Sequence, residues 1–80
     1  MDEEIRMYVD HEIDYLMRFM DFGIIDGLHK QTYDRVFYNY RYRVLGVLSC
    51  LHTLHKISDT ELTQIESWVN GLKIDGGKVI

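Results

Sequence analysis

Apolar residues recur along most of this chain at helical spacing, and the pattern divides it into three segments. In the first, Ile5, Val9, Ile13, Leu16 and Met20 step by four and three, with Tyr8 and Met17 beside them. That stripe predicts one amphipathic helix over about residues 2–22. Acids in its first turn, Glu3 and Glu4, suit the positive end of the helix dipole. Gly23 is placed to end the helix as a left-handed residue. Ile24 to Gly27 then read as a connection, with Asp26 able to cap the next helix and Thr32 a competing start.

The second segment carries the longest pattern. Tyr33, Phe37, Tyr40, Val44, Val47, Leu51 and Leu54 alternate steps of four and three, a seven-residue repeat that predicts a helix over about residues 27–55. At about 1.5 Å per residue it would span roughly 40 Å. Its stretch from Val44 to Leu51 holds no charge and no large polar side chain, so it calls for neighbours all round. Half a turn from the seam lie Tyr42 and the small residues Gly46, Ser49 and Thr53. A glycine inside a helix costs about 1 kcal/mol relative to alanine. A second helix is therefore expected to cross there at short range, either the third helix or a second copy of the chain.

Ser58-Asp59-Thr60-Glu61 opens the third segment as a capping box, and Ile57 with Leu62 completes a hydrophobic staple. Leu62, Ile65, Val69 and Leu72 supply its buried stripe, widened by Trp68, and Gly71 ends a helix over about residues 59–71. Residues 73–80 contain glycine, carry little pattern and are expected to form a short tail. The fold class that follows is all-α. A single domain over residues 1–80 forms a three-helix bundle whose long central helix is flanked by an N-terminal helix and a shorter C-terminal one.

Charge adds a division that hydropathy does not show. The net charge is −4, but residues 1–26 carry eight acids against Arg6 and Arg18. Residues 27–56 carry Lys30, Arg35, Arg41, Arg43 and Lys56 against Asp34 alone. An acidic helix beside a basic one explains this division, and either charged surface could instead face a partner. The one cysteine, Cys50, lies in the apolar run and cannot close an intrachain disulfide, which points to a reducing compartment. With an acidic start, no signal peptide and no run of about 20 apolar residues, the expectation is a cytoplasmic chain without a membrane partner.

Candidate chemistry is sparse. His52 and His55 can share a helix face, but Cys50 points elsewhere and paired cysteines are absent, so neither a metal nor another cofactor is expected. Ser49 and Cys50 are expected to be buried mid-helix, where a nucleophile has no access. Asp75-Gly76-Gly77-Lys78 is too short for a phosphate loop and opens no helix. No catalytic residues are assigned, and the chain does not read as an enzyme.

Tyr38, Arg41 and Tyr42, with Arg35 near Tyr42, lie off the predicted seam. They form the densest tyrosine–arginine surface, the residue types that dominate protein-binding hot spots. Replacing Tyr38, Arg41 and Tyr42 together is expected to weaken binding while leaving stability nearly unchanged. Glu3, Asp10, Asp14 and Asp21 make an acidic row on the first helix, a second candidate partner surface.

The leading expectation is a small non-enzymatic interaction protein whose partner is another protein, such as a host protein or a nucleoprotein complex. By analogy of size and character alone, small acidic helical products of phages and mobile elements include inhibitors of host enzymes and of CRISPR-type immune complexes. One alternative is a nucleic-acid-binding or transcription-associated regulator using Lys30, Arg35, Arg41 and Arg43. That reading is weakened by the acidic balance, because phosphate binding needs a concentrated positive field. The other is a self-associating subunit, a homodimer pairing across Gly46, Ser49 and Thr53.

Overall fold

The computed structural model describes residues 1–22, 30–75 and 78–79. It is an all-α three-helix bundle with α1 at Glu3–Phe22, α2 at Lys30–Thr53 and α3 at Asp59–Asn70. The expected roles of Gly23 and Asp26, and a start of the second helix at residue 27, lie outside the described residues. Thr32 is inside α2 and does not start it. The long central helix packs against α1 along one side and α3 along the other, while α1 and α3 touch each other little. The 24 residues of α2 run for about 36 Å, nearly the whole long axis of a body measuring 39 × 19 × 16 Å.

Three of the helix ends have a local cause in the described residues. The Asp2 carboxylate accepts the Glu4 N–H at 3.0 Å and so caps α1. The α2 helix closes in a Schellman arrangement, in which Lys56 N–H donates to the Leu51 carbonyl (2.8 Å) and His55 N–H to that of His52 (3.0 Å). This geometry puts His55 at φ 60°, a left-handed position normally given to glycine. The capping box forms as its spacing predicts. Glu61 N–H donates to Ser58 Oγ at 3.1 Å, and Ser58 N–H donates to Glu61 Oε1 at 2.9 Å. That bond, and next the Met1 amine 3.0 Å away, hold the Glu61 carboxyl down at about 2.

The core differs from the predicted seam in three ways. On α1 the buried line is Val9, Glu12 and Leu16, with Ile5 and Phe19 half-buried at its ends, so a glutamate occupies a seam position. On α2 the fully buried side chains are Tyr33, Phe37, Val44 and Leu48, whereas Val47 and Leu51 are half-buried; Leu54 lies just past the helix end and is 58% exposed. A straight helix keeps a 3.6-residue period, so a strict seven-residue repeat drifts off the buried arc after two cycles. On α3, Val69 is fully buried but Trp68 is 48% exposed and does not widen the stripe.

The expectation that the Val44–Leu51 run is covered all round is also corrected. Gly46, Ser49 and Cys50 are exposed, because α1 and α3 pack on other sides of α2. Part of the expected tail is held in place. Ile74–Asp75 (β1) pairs antiparallel with Lys78–Val79 (β2), and Ile74 is buried in the core.

Candidate functional site

Residues Tyr38 and Arg41, expected to await a partner, are engaged within the chain. The Tyr38 hydroxyl donates to the Ile74 carbonyl at 2.8 Å and accepts the Ile74 N–H at 3.1 Å. Arg41 Nη1 donates to the carbonyls of Leu72 (3.0 Å) and Asn70 (3.3 Å), groups that the end of α3 leaves without helical donors. Its guanidinium also lies 4.9 Å from the Tyr38 ring centroid. Together these two side chains fasten residues 70–74 to α2. Because both lie half-buried, their replacement is now expected to change stability, contrary to the sequence expectation.

What remains of that surface is the outward side of α2. Arg35, Asn39, Tyr42, Gly46, Ser49, Cys50 and Thr53 are all exposed there, and none is acidic. Tyr42 is 64% exposed, with the Arg41 guanidinium 5.7 Å from its ring. The small residues do not receive α3. An added Cβ on Gly46 would meet nothing within 4 Å, and Thr53 Oγ1 donates back to the Ser49 carbonyl at 3.0 Å.

Gly46→Ala is therefore expected to raise the unfolding free energy by about 1 kcal/mol through helix propensity alone. A melting temperature higher by about 4–8 °C would be the readout, and a lowered one would contradict the open space at this position.

The acidic row is dispersed in use. Asp14 pairs with Arg18 one turn on (3.1 Å), an exposed contact of small value. Asp10 is exposed and lines a groove between α1 and α3 with Met1, Arg6, Val9, Ile13, Glu61, Gln64 and Ile65. The side chain of Asp21 lies outside what the structure describes.

A polar cluster that the helical pattern passed over joins α1 to α2. Glu12, only 6% exposed, accepts the Tyr40 hydroxyl at 2.7 Å, and Arg43 Nη2 stands 3.8 Å from its other oxygen. Burial first, then the bond to Glu12 and its charge, push the Tyr40 hydroxyl up to about 12, with Arg43 opposing. The ring of Tyr40 also packs against Tyr15 (4.9 Å) and Phe19 (5.7 Å). The signal in the sequence was the spacing 5, 9, 12, 16, 19, which reads as a seam once a glutamate is allowed in it. This cluster ties two helices together.

At the α2–α3 turn His52 Nε2 contacts the Asp59 carboxylate. Among the described residues no group of three histidines, cysteines or carboxylates could hold a metal ion. Cys50 is exposed rather than buried. Among the described residues no helix is long and apolar enough to cross a membrane. Comparison of the chain with protein-family models, with curated proteins and with solved structures gives no match, so its own residues carry the functional argument.

Proposed function

We propose that the chain is a non-catalytic protein-binding module that engages another protein through the outward side of α2. The observation behind this reading is the exposed, acid-free line from Arg35 through Tyr42 to Thr53, which none of the described elements covers. Tyrosine and arginine offer large contact area with polar reach, and they recur among the few residues that dominate binding energies. Gly46 and Ser49 beside Tyr42 let a partner backbone approach closely. With Arg35 and the neighbouring Arg43 as its charges, this side suits a partner surface that is acidic or rich in carbonyl groups.

Arg35→Glu combined with Tyr42→Ala tests the reading, because both positions are exposed and the fold should be indifferent to the change. The wild-type chain, used as bait in a nuclease-treated bacterial lysate, is expected to retain a protein that the double variant loses. Both baits should melt within about 2–4 °C of each other, as exposed substitutions shift stability by roughly half a kcal/mol. Equal retention by the double variant, or loss of every partner on nuclease treatment, would remove this surface from consideration. The second outcome would move the assignment to nucleic acid.

A further inference from the structure

The end of α3 carries the only asparagine–glycine pair in the chain, Asn70–Gly71. Asparagine is a thermolabile residue, and a following glycine makes it most prone to lose its side-chain amide. Glycine has no side chain to shield its nitrogen, and it leaves the backbone free to turn back on the asparagine. Asn70 is exposed and meets the water that the reaction consumes. The other asparagine, Asn39, lies in the middle of α2 and precedes the bulky Tyr40.

The folded chain holds the pair in an unreactive geometry. Gly71 keeps right-handed helical angles, φ −76° and ψ −14°. Its N–H is shared between the carbonyls of Trp68 (3.1 Å) and Ser67 (3.2 Å), and Leu72 N–H donates to that of Val69 (3.1 Å). For its nitrogen to reach the Asn70 side chain, that N–H must leave both carbonyls and the chain must turn out of the helix. A helix end ordinarily frays often. Here Arg41 reaches across from α2 and holds the carbonyl on either side of the glycine, Asn70 at 3.3 Å and Leu72 at 3.0 Å.

We propose that Asn70–Gly71 is a deamidation site gated by Arg41, and that its modification releases the segment fastened to α2. When the end of α3 opens, the Gly71 nitrogen attacks Asn70 Cγ. The N–Cγ bond forms, the Cγ–Nδ2 bond breaks, and ammonia leaves carrying the Gly71 proton. Solvent water then opens the five-membered succinimide at one of its two carbonyls, which leaves an aspartyl or an isoaspartyl link. Both products place a carboxylate at the C-terminal end of α3, where the helix dipole disfavours it. The isoaspartyl link also lengthens the main chain by one carbon, so the two carbonyls no longer match the reach of Arg41. Loss of ammonia makes the step one-way, and the clasp does not re-form.

The full chain, incubated near neutral pH and mapped by peptide mass spectrometry, tests the proposal. The peptide holding Asn70 should gain one dalton and accept methyl groups from isoaspartyl methyltransferase, while the peptide holding Asn39 stays unchanged. In guanidinium chloride the Asn70 peptide should react at least about tenfold faster than in the folded chain, because the closed geometry is gone. Arg41→Ala and the milder Arg41→Gln, each checked for fold by circular dichroism, should raise the folded rate by at least about fivefold, since a charged hydrogen bond no longer opposes local opening. Tyr40→Phe loosens the α1–α2 contact instead and should leave the rate near that of wild type, which separates local opening from whole-chain unfolding. In the modified fraction, amide exchange at Ile74 should rise. Equal rates in the folded and unfolded chain, Arg41 variants no faster than wild type, or equal acceleration by Tyr40→Phe would overturn the gate. Unaltered exchange at Ile74 would overturn the release.

Discussion

Tyr38→Phe is expected to lower the unfolding free energy by about 1–3 kcal/mol, although it removes a single oxygen atom. That oxygen is bonded to both backbone polar groups of one residue, the Ile74 N–H and its carbonyl. Ile74 is 3% exposed, so water cannot replace the lost hydroxyl without opening the core. Two buried groups are orphaned by one deletion, which places the change well above an ordinary surface substitution. For a domain of this length the melting temperature should fall by about 4–8 °C for each kcal/mol. Amide exchange at Ile74 should rise more than exchange in the middle of α1, since the fastening is local. Tyr42→Phe is the control. Its side chain is 64% exposed and its loss of a hydroxyl should be nearly silent. Equal stability for Tyr38→Phe and wild type would mean that the segment after α3 is not held by this hydroxyl.

This fastening marks the boundary of what the amino-acid pattern can reveal. Three helices, their order and the cap at Ser58 are local properties, written in spacing over a few residues, and the structure keeps them. The link between Tyr38 and Ile74 joins positions 36 apart in the chain. No periodicity reports such a link. Tyr38 stands off the apolar stripe of α2, a place that spacing alone assigns to a partner, yet off that stripe is where the segment after α3 lies.

The same limit applies to Arg41, whose value comes from the carbonyls that the end of α3 exposes, a need visible only after the helices are docked. Gly46 errs in the other direction. A mid-helix glycine argued for close packing, but among the described residues nothing packs on α2 at Gly46, and that side of the helix faces solvent. The candidate site was therefore half legible. Arg35 and Tyr42, singled out by composition and spacing, are exposed, and the small residues, expected to receive a crossing helix, face solvent instead, whereas the internal duties of Tyr38 and Arg41 required the fold.

Tyr40→Phe should destabilise the protein, and a second substitution at Glu12 should restore much of the loss. In the single variant the Glu12 carboxylate stays buried with only Arg43 at 3.8 Å, a long contact from a side chain that is itself largely in water. Leaving a buried charge without its close donor costs about 1–3 kcal/mol or more. Glu12→Leu in the same chain removes the orphan and fills the seam with an apolar side chain, and such exchanges are often neutral or stabilising. The double variant is thus expected to melt above Tyr40→Phe, with a coupling of about 1–3 kcal/mol in the cycle. Additive losses would contradict the pairing.

The same bond predicts an alkaline limb. The Tyr40 hydroxyl, ordinarily near 10, is pushed up to about 12. A group whose proton is held more tightly in the folded state contributes in full below its unfolded value. That contribution is then lost as pH rises through the folded one, here between about 10 and 12. In Glu12→Gln the carboxylate is gone, so Tyr40 should titrate earlier and the limb should flatten. Phenolate absorbance followed across that range should show a late-titrating tyrosine in wild type, and its shift in Glu12→Gln would tie the late proton to the buried carboxylate.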